Sequence, residues 1–311
     1  MKVVYGHTDS IYVDIEDNNI ETAEKTLKIL NEHVRESFPN VMGLKEHPVT
    51  LEFEKYFRTL GVGATKNRNA GLITWKDGNF LDEEEFVMTG FTAKRVSLTK
   101  LAKDVQLSVL NMWVEGKSEQ ELVSYLNDKY NSVMQGKIPL SDVLQRSRFR
   151  EERFRLVCKD CNPKARFDKG WSNKSVSVFD LMQHGGCIDD MGRAMEHSNF
   201  VTVGGKRPTF GSGVEGVLFS HSQGYEKIED TYLYLRIKNC REHYMHPVTR
   251  EFTTPNYVSR LTADEFDDFD PDWSHYAESV VKKAEPIFRA MGWNTMQIKR
   301  DTQQSSLEEW F

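Results

Sequence analysis

The amino-acid sequence predicts an α+β fold in which a β-hairpin, a helix and a β-meander precede mostly helical segments broken by a β-rich stretch. Three features carry that prediction. Lys2-Val3-Val4 and Ile11-Tyr12-Val13 are short β-branched and aromatic runs on either side of a Gly-containing turn, which reads as a hairpin. Residues 49–54 alternate apolar and polar, the period of a strand with one wet face. From residue 98 the apolar spacing turns helical.

In order along the chain, residues 21–38 place Ala23, Leu27, Leu30 and Val34 at three- and four-residue intervals, an amphipathic helix stopped by Pro39. Strands at 49–54, 58–64 and 71–75 follow, with Asn67-Arg68-Asn69 turning between the last two. Leu101, Val105, Val109 and Met112 mark a helix over 98–114, and a second spans 119–134, where Gly136 closes it and Pro139 blocks continuation. Residues 156–230 are rich in Gly, Ser and Asn and weakly periodic, so they read as an irregular β-rich insertion. A strand at 232–237 and a helix at 273–291, bearing Tyr276, Val280, Ala284 and Phe288 on one face, precede a polar tail ending in Trp310-Phe311.

The 311 residues suffice for one large domain or two ordinary ones, and 39% hydrophobic with 28% charged residues is the composition of a globular protein. No apolar run is long enough to span a bilayer and the N-terminus lacks a signal-peptide pattern, which points to the cytoplasm and away from the membrane. The net charge of −6 excludes an indiscriminately basic binder but leaves local clusters open. Residues 146–174 hold such a cluster, with Arg146, Arg148, Arg150, Arg153, Arg155, Lys159, Lys164, Arg166, Lys169 and Lys174 interleaved by Phe149, Phe154 and Phe167. The acidic stretch at 264–272 reads as a solvated face.

Four groups of residues carry chemistry. Asp9, in the hairpin turn Tyr5-Gly6-His7-Thr8-Asp9-Ser10, puts a carboxylate at the end of a sheet, a position suited to Mg²⁺ in two-metal phosphoryl transfer. One carboxylate cannot hold two ions, and Glu52 and Glu54 on the neighbouring strand are supporting candidates whose alternative is plain solvent exposure. Lys66 and Arg68, followed by Gly71, suit contact with a DNA backbone or minor groove, Gly71 letting backbone approach. Cys158-x-x-Cys161 has zinc-knuckle spacing, and His184 with Cys187 completes a structural Zn²⁺ set, ordinary reduced thiols being the competing reading. In the tail, one helical turn would gather Leu307, Trp310 and Phe311 into an apolar plug with Gln304 offering an amide, the pattern of a sliding-clamp-binding (PIP) box.

The hexamer at residues 5–10 resembles Tyr-Gly-Asp-Thr-Asp-Ser, motif C in the palm of family B DNA polymerases, with His7 as its one departure. The segment from Lys66 to Leu72 resembles the Lys-Lys-Arg-Tyr-Ala-Gly segment that follows motif C in that family, with Asn67 and Asn69 replacing the second Lys and the Tyr. Gly90 with Lys94-Arg95 is similar to the family's thumb entry, although Ser97 stands where an Asp is usual. Residues 136–142, 270–273 and 285–293 also look like thumb segments. The resemblance covers roughly residues 1–155 and 231–311, and most resembles the small subunit of a split archaeal family B polymerase.

That resemblance implies an end-of-palm hairpin and sheet with a helix over 1–90, a helical thumb over 91–155 and 231–298, an insertion of unknown role at 156–230 and a clamp-binding tail at 299–311. It implies DNA-directed DNA synthesis from dNTPs on primer–template DNA, nucleoid-associated and active only with a large subunit that supplies exonuclease, fingers and the rest of the palm. Asp9 would be the catalytic metal ligand, sharing two Mg²⁺ with the partner. Lys66, Arg68, Gly71, Lys94 and Arg95 would meet the duplex, and Gln304, Leu307, Trp310 and Phe311 a PCNA-like sliding clamp. His7 motivates the alternative of a non-catalytic DNA-binding and clamp-tethering subunit, because an imidazole in place of a carboxylate shifts ligand preference away from Mg²⁺.

Overall fold

A computed structural model describes residues 2–7, 9–15, 19–65, 67–161, 175–189 and 191–299. The fold is α+β, built from small antiparallel sheets and six α-helices among the described residues. It divides into two units, the first comprising Met1–Lys94, Asp104–Tyr130 and Val280–Phe311, the second Arg95–Lys103 and Asn131–Ser279.

The first unit begins with β1 (Lys2–His7) and β2 (Ser10–Asp14), an antiparallel hairpin in which His7 faces Ser10 and a bulge falls between Val3 and Tyr5. Helix α1 (Ile20–Ser37) starts on Asn19, whose side chain accepts from the Glu21 N–H, one of the donors a helix start leaves unpaired. Three strands then form a meander in the order β3 (Lys55–Val62), β4 (Asn69–Lys76) and β5 (Asn79–Thr89). The central strand is the buried one, with Ala70, Leu72, Ile73 and Trp75 inside. Helices α2 (Lys100–Val114) and α3 (Glu119–Met134) follow, and within the unit they bury Val105, Val109, Leu110, Val114, Leu122 and Leu126. Ser118 and Glu121 cap α3 reciprocally, the Ser118 N–H and hydroxyl donating to Glu121 at 2.8 and 2.9 Å and the hydroxyl accepting from the Glu121 N–H.

Residues 49–54 form no ladder, contrary to the strand expected there, and β3 begins only at Lys55. Asn31 of α1 is the reason. Its side-chain amide donates to the Leu51 carbonyl at 3.0 Å and accepts from the Leu51 N–H at 2.8 Å, taking the partners a neighbouring strand would have used. The alternation of the segment survives over 51–54, with Phe53 stacked on Trp75 at 4.3 Å while Glu52 and Glu54 are exposed.

The second unit carries β6 (Gln145–Arg148), β7 (Arg155–Cys158), β8 (Ser175–Ser177), α4 (Val178–His184), β9 (Cys187–Ile188), β10 (Ala194–Met195), β11 (Phe200–Thr202) and α5 (Ser212–Ser222). After these come β12 (Thr231–Arg236), β13 (Tyr244–Met245), β14 (Phe252–Thr253) and β15 (Tyr257–Arg260), with α6 (Trp273–Met291) having residues in both units. The sheets run β15-β12-β6 and β11-β7-β8, with β9/β10 and β13/β14 as separate pairs. The stretch read as β-rich insertion thus contains two helices. α5 buries Val214 and then an unbroken run from Gly216 to Ser220, so no amphipathic period marks it.

Asp272 starts α6: it accepts from the Ser274 hydroxyl at 2.7 Å, the His275 N–H at 3.1 Å and the Arg236 Nε of β12 at 2.8 Å. Burial pushes its carboxyl up, but these hydrogen bonds and the guanidinium charge outweigh burial and hold it below the usual range. No helix among the described residues is long and apolar enough to cross a membrane.

Candidate functional site

His7 pairs with Ser10 at the end of the β1–β2 ladder, and the strands reverse beyond that pair. Asp9 lies in that turn and is exposed, whereas Thr8 and the side chain of His7 lie outside the described residues. The hairpin is held by rings: Tyr5 meets Tyr12 at 5.6 Å and Tyr12 meets Phe57 of β3 at 5.8 Å. Asp9 borders a hollow of about 760 Å³ whose lining also includes Ser10, Asp14, Glu52 and Glu54.

Glu52 and Glu54 do not join Asp9 in a three-carboxylate cluster among the described residues. Glu54 pairs instead with Lys55, and that hydrogen bond raises the Lys55 ammonium above its ordinary value. Asp9 therefore offers one hard oxygen ligand on an accessible turn. Mg²⁺ is commonly held by one or two carboxylates, with water and substrate phosphates filling the rest of its octahedron, so Asp9 fits as one ligand of an incomplete site.

The turn carrying Arg68 packs against this hairpin. The Tyr5 hydroxyl donates to Asn67 Oδ1 and accepts from the Asn67 N–H, both at 3.0 Å. Two segments more than sixty residues apart are thereby joined through a residue that had read only as a departure from the motif. Asn67 has φ of 61°, a left-handed conformation that Asn tolerates better than most residues. The turn is closed by Gly63, whose N–H donates to the Arg68 carbonyl at 2.7 Å. Gly90, at φ 75°, abuts it so closely that a Cβ would lie 1.7 Å from the Asn67 carbonyl oxygen. Arg68 is half-buried, and Lys66 lies outside the described residues.

Gly71 has a different role from the DNA approach expected of it. It is buried in β4 between Leu60 and Val87, and the Phe57 ring and Thr59 carbonyl each come within 2.6 Å of where its Cβ would be. Its missing side chain admits strand packing. Lys94 ends a 3-10 turn over Thr92–Lys94, and both Lys94 and Arg95 are exposed. In β6 the strand alternation leaves Arg146 and Arg148 exposed on the same face, and Arg150 and Arg153 are exposed beyond it. Lys164, Arg166, Lys169 and Lys174, like the tail residues Gln304, Leu307, Trp310 and Phe311, lie outside the described residues.

The cysteines converge on a histidine other than the one expected. Cys158, Cys161, Cys187 and His197 place their ligating atoms within 4.8 Å of one another, the only such group of three or more metal-ligating side chains among the described residues. His184 instead ends α4 just ahead of Gly185, whose positive φ turns the chain away. His197 follows β10, the partner of β9, and the hairpin brings it back beside Cys187, which faces Met195. Burial and the neighbouring Cys158 sulfur push the Cys187 thiol far up. The signal available in the sequence was the Gly-containing turn between Cys187 and His197, which folds them to the same end of a short hairpin.

A family model described as DNA polymerase family B matches residues 1–160. The DNA polymerase 037L of Invertebrate iridescent virus 6 is 32% identical over 141 residues, covering 41% of this chain and 11% of that protein. The DNA polymerase of Archaeoglobus fulgidus is 27% identical over 143 residues, 46% of this chain and 16% of its own length. The DNA polymerase delta catalytic subunit of Candida albicans is 28% identical over 144 residues, 46% of this chain and 13% of its length. The aligned part thus spans less than a fifth of each of these relatives. A family match over more than half of the chain, taking in both the Asp9 hairpin and the turn it grips, makes this protein a member of DNA polymerase family B.

Proposed function

We propose that this chain is the small subunit of a heterodimeric family B DNA polymerase and contributes Asp9, a duplex-binding thumb and a sliding-clamp tether to template-directed DNA synthesis. The observation that carries the reading is the Tyr5–Asn67 contact, which joins the hairpin bearing Asp9 to the turn bearing Arg68. A metal-binding carboxylate and a phosphate-binding loop must share one rigid frame if the primer end is to be presented to the metal. Residues 1–90 are the end of the palm, 91–155 and 231–298 the thumb, 156–230 an insertion and 299–311 the clamp-binding tail.

On this reading a large subunit that also carries exonuclease and fingers supplies the second acidic ligand. Asp9, together with an aspartate of that partner, would hold two Mg²⁺, which when bound would supply Lewis-acid activation for nucleotidyl transfer to a primer 3′-hydroxyl. Asp9 contributes one carboxylate oxygen donor from the turn between β1 and β2. Lys66 and Arg68 hold the nascent duplex through its phosphates, Lys94 and Arg95 extend that contact, and Gln304, Leu307, Trp310 and Phe311 dock into a PCNA-like clamp.

Reconstitution tests the proposal. Primer extension should be absent with the chain alone and appear when it is mixed with a large subunit carrying the other palm aspartate. Extension by the chain alone would refute the divided site. A mixture that binds primer–template but never extends it would favour the non-catalytic tethering role that His7 suggests.

A further inference from the structure

We infer that Cys158, Cys161, Cys187 and His197 form a structural Zn²⁺ site that ties the knuckle after β7 to the β9–β10 hairpin. The inference stands apart from the polymerase reading, because none of these residues takes part in the Asp9 hairpin or its turn.

The geometry is that of a single ion. A tetrahedral centre with Zn–S near 2.3 Å and Zn–N near 2.0 Å separates sulfur from nitrogen by about 3.5 Å and two sulfurs by about 3.8 Å. Cys158 Sγ and Cys161 Sγ lie 3.5 and 3.1 Å from His197 Nδ1, and all four ligating atoms fall within 4.8 Å of one another. That spacing is too tight to surround a multi-iron cluster. Three soft sulfurs and one imidazole, with no hard oxygen in the set, select zinc over Mg²⁺ or Ca²⁺.

The surrounding backbone is arranged to hold the four ligands. Cys158 ends β7 opposite Phe200 of β11, and the Lys159 N–H donates to the Asn199 carbonyl at 2.8 Å, which pins the knuckle. Asp160 accepts from the Asn199 N–H at 3.2 Å, so both knuckle contacts converge on Asn199. On the other half, Asp189 caps the β9–β10 turn by accepting from the Met191 and Arg193 N–H groups at 2.9 and 2.8 Å. Each half presents two ligands, a Cys-x-x-Cys pair and a Cys–His pair, and an ion joining them would cross-link the knuckle after β7 to the β9–β10 hairpin. The closed set of four protein ligands leaves no position for substrate, which makes the site structural.

Metal content of the full-length chain, purified without added metal, tests this by elemental analysis. The expected result is about one zinc per chain, with full retention in His184→Ala and at least a ~10-fold loss in His197→Ala and in the exposed-position variant Cys161→Ser. Cobalt exchanged into the unaltered chain should give thiolate-to-metal charge-transfer bands together with the visible bands of a tetrahedral ion, a readout that does not depend on any variant folding. A chain that carries no zinc and takes up neither zinc nor cobalt would overturn the assignment. Iron in place of zinc, a disulfide among the three cysteines, or zinc loss in His184→Ala equal to that in His197→Ala would do so as well.

Discussion

Replacing Gly90 by alanine probes the contact that holds the two motifs together. Gly90 sits at φ 75°, where an L side chain costs about 1–2 kcal/mol. Its added Cβ would also lie 1.7 Å from the Asn67 carbonyl oxygen and 2.7 Å from the carbonyl carbon, so the turn must shift. Relieving such overpacking costs about 1–3 kcal/mol. A shift of Asn67 further strains the two Tyr5 hydrogen bonds, which at an exposed position are together worth on the order of 1 kcal/mol. The sum is about 3–6 kcal/mol. Gly78 provides the matched control, since its φ is 91° but nothing lies within 4 Å of its Cβ position. Gly78→Ala should therefore lose only the conformational part, about 1–2 kcal/mol. Urea unfolding of both variants beside the parent chain, followed by fluorescence and far-UV dichroism, measures the difference. Equal destabilisation by the two substitutions would refute the claim that Gly90 is required by the approach of the Asn67 turn.

Substituting Lys66→Ala together with Arg68→Ala should weaken primer–template binding and reduce the slope of log K against log salt by about 1–2, as fewer counterions are released. Anisotropy titrations across a salt series check this, and an unchanged slope would remove both residues from the DNA interface. Asp272→Asn should cost about 1–2 kcal/mol at neutral pH, through loss of the α6 cap charge and its Arg236 partner. Because the Asp272 carboxyl is held below its unfolded value of about 3.9, its contribution is present above that pH and is lost as pH falls through the lower folded value. Urea midpoints of parent and variant should therefore converge below about pH 4, and a constant gap down to pH 2 would contradict the assignment.

Much of this architecture was legible because it follows local periodicity. The helices over 119–134 and 273–291 begin and end where apolar spacing and capping residues predict, and α1 differs by a residue at each end. Tertiary partners were not legible. Nothing near residue 51 announces that Asn31 will take up its backbone groups in place of a strand. Helix α5 carries no periodic signal because its buried residues, Gly216 to Ser220, run consecutively instead of recurring every three or four positions.

The candidate site divides in the same way. The hairpin turn bearing Asp9 followed from composition, whereas the role of Asn67 needed the Tyr5 hydroxyl to be seen across the fold. His184 is nearer to Cys187 in sequence, yet His197 is the imidazole that meets the sulfurs in space. A β-hairpin reverses that logic by returning the more distant residue to the cysteines.

The central claim is that Asp9 supplies one metal-binding carboxylate to an active centre completed by a partner. Single-turnover incorporation by the reconstituted pair, with Asp9→Ala against the parent, tests it most directly. The account predicts a fall in rate on the order of 10³-fold or more, with subunit assembly and primer–template affinity retained. Synthesis by the Asp9→Ala pair at the parental rate would contradict it.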